Sequence, residues 1–163
     1  MRLDHSNSAR RFLRLRRIDP PMAVVLFVCV ENTFRSVLSE AMFNEIAPAG
    51  WHGESAGVQA AASINPVVVP LLKEIGIHLA AKTPRLATPD LVDRASRVVT
   101  FGCLDRCPIG ARGKSEDWPV PGATGRNMAQ LREIRDDLHQ RVGGLVSRLP
   151  AAESEPKAKP RKV

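Results

Sequence analysis

Cys29 and Arg35 stand six positions apart in the segment CVENTFRS, and together they could supply the two functions that oxyanion chemistry needs. A cysteine thiolate is a nucleophile, and a guanidinium presents a fork of donors that grips a tetrahedral anion at two points. For both to act on one anion, the chain between them must curl around it with its amides turned inward. Val30, Glu31, Asn32, Thr33, Phe34, Arg35 and Ser36 are therefore the candidate oxyanion-binding residues. Asparagine tolerates the left-handed backbone that such a curl demands, which suits Asn32. Ser36 is placed either to hydrogen-bond the thiolate or to cap a helix.

Spacing alone makes this a weak pattern, so its meaning rests on the elements around it. Residues 24–28 form a continuous apolar, β-branched run, as expected of a central strand buried on both faces. Over residues 36–46, Val37, Leu38, Ala41, Met42 and Ile46 recur at helical spacing. A loop joining a buried strand to a helix start collects unpaired amides and the positive end of the helix dipole, which bind an anion and favour a thiolate.

Cys103 and Cys107 follow a third expected strand, residues 97–101, and so should emerge at the same sheet edge as Cys29. If their segment is helical, four residues place them on one face about 6 Å apart, within reach of a disulfide. The residues leave three readings open: a thiol relay, a zinc site and structural cysteines. His52, His78 and His139 form no familiar ligand spacing with the pair. No metal and no organic cofactor are expected.

The remaining elements alternate. A short second strand is expected at 51–55, ending at a turn at Ala56-Gly57. A helix over 65–75 would start with Asn65 as cap and Pro66 in first position and stop at Gly76, with Pro70 straining its early turns. Thr88-Pro89-Asp90 repeats the start signal for a short helix to about residue 95. Residues 115–118 supply a short fourth strand, and 127–149 a long closing helix with a weak point at Gly143-Gly144. The fold class is α/β, a small doubly wound, flavodoxin-like sheet of about four parallel strands, with ligands at their carboxyl ends.

The net charge of +7 is uneven. Residues 1–21 carry +4 and residues 151–163 carry +2, leaving +1 for the body. A near-neutral body with no Tyr argues against a nucleic-acid face. The expected organisation is a basic, disordered extension over 1–21, one domain over 22–149 and a disordered basic tail over 150–163. Met22 is an alternative start. The longest apolar run, residues 22–30, is too short to span a membrane. Three cysteines without a secretory signal point to a reducing cytoplasm rather than a disulfide framework.

The segment VLFVCVENTFRSVLSEAMF resembles the opening of the low-molecular-weight protein tyrosine phosphatase superfamily. Glu54-Ser55-Ala56-Gly57, Asn65-Pro66, Lys73-Glu74-Ile75-Gly76-Ile77, the stretch VVTFGCLDRCP, Asp117-Trp118 and Arg132-Glu133-Ile134-Arg135-Asp136-Asp137 are similar to its arsenate reductase branch. The resemblance spans about residues 22–149. It implies a thioredoxin-coupled arsenate reductase in which Cys29 attacks arsenate, Cys103 attacks the Cys29 sulfur and Cys107 attacks Cys103. The reductant would be thioredoxin, glutaredoxin or a small thiol.

The pattern also departs from the family. Its late Asp-Pro acid is missing, and Gly122 occupies the acid's place in WPVPGATG. A general acid is typically worth about 100- to 10,000-fold, so a phosphatase should suffer more from its loss than a reductase. Asp105 and Asp117 are the candidates to replace it. Glu31 puts an acid where the phosphatases commonly have glycine, and His78 replaces the usual acid after Gly76-Ile77. Two rival functions follow: an aryl phosphatase, and an oxyanion-binding or redox-sensing protein with impaired catalysis.

Overall fold

The computed structural model describes residues 22–107, 111 and 113–150. The basic segments expected at the two ends, apart from Pro150, lie outside the described residues. Four strands, β1 (Ala23–Cys29), β2 (Trp51–Gly57), β3 (Arg97–Thr100) and β4 (Ser115–Asp117), form one sheet in the order β2-β1-β3-β4. Every pairing is parallel. The order reverses direction at β1, so the carboxyl ends of β1 and β3 open on the crevice where such sheets bind ligands.

The first strand alternates its side chains between two cores. Val25, Phe27 and Cys29 pack with the helices α1 (Arg35–Ile46), α2 (Val68–Lys73) and α4 (Met128–Arg148). Leu26 and Val28 face the other way, toward Leu91 and Val92 of helix α3 (Pro89–Arg94). Burial on both faces is why β1 reads as an unbroken apolar run. Among the described residues no helix is long and apolar enough to cross a membrane.

Two expected elements differ. The helix expected at 65–75 occupies only Val68–Lys73, because Asn65 does not cap it. Its side-chain oxygen instead takes the amide of Val67 and closes a turn around Pro66. The segment after β3 is a short 3-10 turn, Leu104–Arg106, flanked by Cys103 and Cys107. A 3-10 helix has three residues per turn, so the one-face α-helical pairing of the two cysteines does not occur. The closing helix runs unbroken through Gly143-Gly144, held by the buried Val142 and Leu145. At its start Asn127 and Gln130 form a reciprocal capping box.

Candidate active site

Cys29 ends β1 and is 3% exposed. Beyond it the chain turns its carbonyls outward. Those of Cys29, Val30, Glu31 and Thr33 accept the amides of Val58, Gln59, Ala61 and Asn65. The amides of Val30, Glu31, Asn32, Thr33 and Phe34 have no protein acceptor among the described residues. Strand end, curled loop and helix start thus make an anion cradle of main-chain donors.

Two residues give the loop its curvature. Asn32 has a φ of 56°, the left-handed conformation. Gly57, paired with Cys29 across the sheet, lies directly against the loop. A Cβ there would stand 2.7 Å from the Val30 oxygen and 2.8 Å from the Asn32 nitrogen. The turn expected at Ala56-Gly57 is thus the last residue pair of β2, and the glycine serves close approach.

Behind the thiol runs an oriented hydrogen-bond chain. The Arg85 amide donates to Asn32 Oδ1 (3.0 Å), which turns Asn32 Nδ2 toward Ser36 Oγ (2.8 Å). Ser36 Oγ lies 3.0 Å from Cys29 Sγ. Since the hydroxyl already accepts from Asn32, its own proton is free to point at the sulfur, the arrangement that stabilises a thiolate. The 82–85 segment is tied down by Lys82, whose Nζ bridges Glu40 of α1 and Ser55 of β2. Burial and the nearby Arg85 charge lower the Lys82 pKa to about 8.

A cavity of about 260 Å³ opens over Cys29. Val30, Glu31, Thr33, Phe34 and Arg35 line it from the loop, and Asn65, Gly122, Ala123 and Thr124 from outside. Asn32 and Ser36 do not line it; they support the thiol from behind. Arg35 Nη1 donates to the carbonyls of Phe101 (3.1 Å) and Val120 (2.9 Å), with the guanidinium 6.0 Å from the Phe101 ring centre. Gly122 faces the same group: a Cβ there would lie 3.8 Å from Arg35 Nη2, in open contact.

Cys103 and Cys107 sit at the same sheet edge. Cys103 Sγ donates to the carbonyl of Val28, the residue before Cys29, at 3.2 Å. Its thiol is drawn down to about pKa 6, chiefly by a hydrogen bond from Cys107, with help from the Phe101 main chain and the Arg35 charge. The same pairing pushes the Cys107 thiol up. The bond to the Val28 carbonyl uses the proton of the Cys103 thiol, so it belongs to the protonated state, and the low Cys103 pKa means that this bond is given up when the thiol ionises.

Asp105 and Asp117 do not line the Cys29 cavity. They line a separate groove of about 530 Å³ with Gly102 and Leu104. Asp117 Oδ1 accepts from Thr100 Oγ1 (2.6 Å) and the Gly102 amide (2.7 Å). Among the described residues no three His, Cys, Asp or Glu side chains gather as a metal site. His78 lines a different, partly apolar groove. Sequence reasoning missed the supporting roles of Gly57, the Arg85 amide and Lys82. Each acts across a long stretch of chain and leaves no local pattern.

The parallel sheet, with a Cys-to-Arg loop at its switch point and a cavity over the thiol, defines an enzyme of the low-molecular-weight phosphatase class. Residues 24–106 match the low molecular weight phosphotyrosine protein phosphatase family, and the chain belongs to it. An arsenate reductase of Staphylococcus aureus (strain N315) is 30% identical over 118 residues, covering 70% of this chain and 88% of the relative. The crystal structure of an Archaeoglobus fulgidus arsenate reductase is similar at 33% identity and a TM-score of 0.65, over 76% of this chain and 98% of that one. A thioredoxin-dependent arsenate reductase of Corynebacterium glutamicum is similar at 30% identity and a TM-score of 0.66. That match covers 78% of this chain and 61% of the other.

Proposed function

We propose that the protein is a cytoplasmic, thiol-dependent arsenate reductase. The observation that carries this reading is the Cys103–Cys107 pair beside the loop, with Cys103 Sγ on the carbonyl of Val28 next to Cys29. A phosphatase needs one thiol. A reductase needs further thiols within reach to take two electrons from the protein.

In this reading the loop amides and Arg35 hold arsenate, and the Cys29 thiolate attacks arsenic. An arsenate oxygen leaves as water, its protons coming from the substrate's own hydroxyl and solvent. The Cys103 thiolate then attacks the Cys29 sulfur. The sulfur–arsenic bond breaks with its electron pair kept by arsenic, which departs as arsenite, and a Cys29–Cys103 disulfide forms. Cys107 loses its proton and attacks the Cys103 sulfur, releasing the Cys29 thiolate and leaving a Cys103–Cys107 disulfide. Thioredoxin, glutaredoxin or a small thiol then reduces that bond. The 1% exposure of Cys103 means that its turn must move for the exchange to occur.

Aryl phosphate hydrolysis is the second reading, supported by the family and the cradle, and opposed by Gly122 facing Arg35 where an acid would protonate the leaving group. Cys29→Ser, Cys103→Ser and Cys107→Ser proteins, assayed against arsenate with a thiol reductant and against an aryl phosphate, separate the two. Arsenate turnover should vanish in all three. Turnover surviving the loss of Cys103 would sink the relay, and aryl phosphate turnover dependent on Cys29 alone would establish the phosphatase. Oxyanion binding without either turnover would mark a binding or sensing protein.

A further inference from the structure

Cys103 combines two properties that pull in opposite directions. Its thiol is strongly activated, through Cys107 and the charge of Arg35. Yet it is 1% exposed and packs with Leu26, Val28 and Ala56, in the core on the opposite face of the sheet from the one that holds Cys29. An activated thiolate left in the open is oxidised or alkylated readily, so something must keep it in this seat between turnovers.

The turn that carries it is pinned at two points. From one side Arg35 donates to the Phe101 carbonyl, a bond that belongs to the anion site. From the other, Asp117 Oδ1 accepts from the buried Thr100 hydroxyl and from the amide of Gly102, whose φ of 79° reverses the chain just before Cys103. A Cβ on Gly102 would meet nothing within 4 Å, so glycine is needed there for conformation rather than space. Asp117 does not line the Cys29 cavity, so its hold on the turn is separable from anion binding.

We infer that Asp117 is a positioning residue, a latch that holds the Thr100–Gly102 turn so that Cys103 stays seated until it is called on to attack. The role deepens the reductase reading, because it takes Cys103 as the thiol that resolves the Cys29 adduct. Asp117 is thereby assigned to the second thiol rather than to protonation of a leaving group at the first.

The test is alkylation of the full-length, reduced protein by iodoacetamide, with each cysteine followed separately by mass spectrometry. Asp117→Ala should raise the rate at Cys103 roughly tenfold, as expected for two charge-assisted bonds at a partly solvated carboxylate. The rate at Cys29 should stay within about twofold. Asp117→Asn removes the charge, which holds the Cys103 pKa up, but keeps an acceptor oxygen, so its Cys103 rate should stay well below that of Asp117→Ala; equal rates in the two would assign the effect to charge and overturn the latch. Thr100→Val, which removes one of the two bonds, should raise Cys103 reactivity by a smaller factor and serves if Asp117→Ala does not fold. An unchanged Cys103 rate in folded Asp117→Ala, or in Thr100→Val when that is the variant used, would overturn the latch. So would a parallel rise at Cys29 and Cys103, which indicates general loosening. These rates are independent of arsenate turnover, so a failed relay in the Cys103→Ser assay and a failed latch are told apart.

Discussion

A Cβ added to Gly57 would stand 2.8 Å from the backbone nitrogen of Asn32, so the end of β2 and the left-handed turn of the anion loop are packed backbone to backbone. Neither side can yield cheaply, because the atoms involved are main chain. Gly57→Ala should therefore destabilise the protein by about 1–3 kcal/mol, an overpacking cost, and weaken arsenate binding together with stability. Thermal melting with and without arsenate measures both. An unchanged melting temperature would show that the loop can retreat freely.

The chain Arg85 amide, Asn32, Ser36, Cys29 makes a directional prediction. Ser36→Ala removes the proton aimed at the sulfur, and Asn32→Ala removes both the left-handed residue and the group that orients Ser36. Each should slow alkylation of Cys29 at neutral pH by roughly three- to tenfold, the value of one or two such bonds. Asn32→Gly keeps the backbone conformation but not the side chain, so it should restore stability without restoring reactivity. Recovery of both would place the role of Asn32 in the backbone alone.

A Cβ on Gly122 would meet the Arg35 guanidinium at ordinary contact distance, 3.8 Å, so a side chain there can be accommodated beside it. Gly122→Asp should supply a proton donor for an ester leaving group and raise aryl phosphate turnover by about 10- to 100-fold, the low end of general-acid effects. Gly122→Asn should not. Arsenate reduction, whose leaving oxygen already carries a proton, should change by no more than a few fold. Steady-state assays of both substrates decide this.

The Cys103–Cys107 pair sets a pH dependence. The Cys103 thiol titrates near pH 6 when folded, below the ordinary thiol value of 9.0. The unfolded chain therefore binds more protons between those limits, and the pair's contribution to stability rises from about pH 6 to 9. Cys107 is shifted upward, so above pH 9 the unfolded chain ionises first and the contribution falls again. Cys107→Ala removes the principal cause of the Cys103 shift and should move thiolate absorbance at Cys103 upward in pH. Titration in a Cys29→Ser background isolates the signal.

How much of this was legible in the chain differs element by element. Strand β1 and helix α4 were readable because burial imposes a local pattern, a solid apolar run in one and spacings of three and four in the other. The start of α2 misled, since Asn65 and Pro66 make the same signature for a helix cap and for the turn observed. The 103–107 segment was readable as a pair of nearby thiols but not as a 3-10 turn, because short helical types share composition.

The placement of Cys29, Arg35 and the loop between them was legible in the sequence alone, because their spacing is carried by a single strand-loop-helix unit. Tertiary structure decided the rest. It assigned Asn32 and Ser36 to the back of the thiol, turned the carbonyls of Phe101 and Val120 on Arg35, and brought Gly57 and Arg85 to the loop. It also seated Cys103 in the opposite core and moved Asp117 away from the Cys29 cavity, onto the turn before Cys103. Those contacts join residues far apart in the chain, and their geometry exists only once the parallel sheet has aligned the ends of its strands.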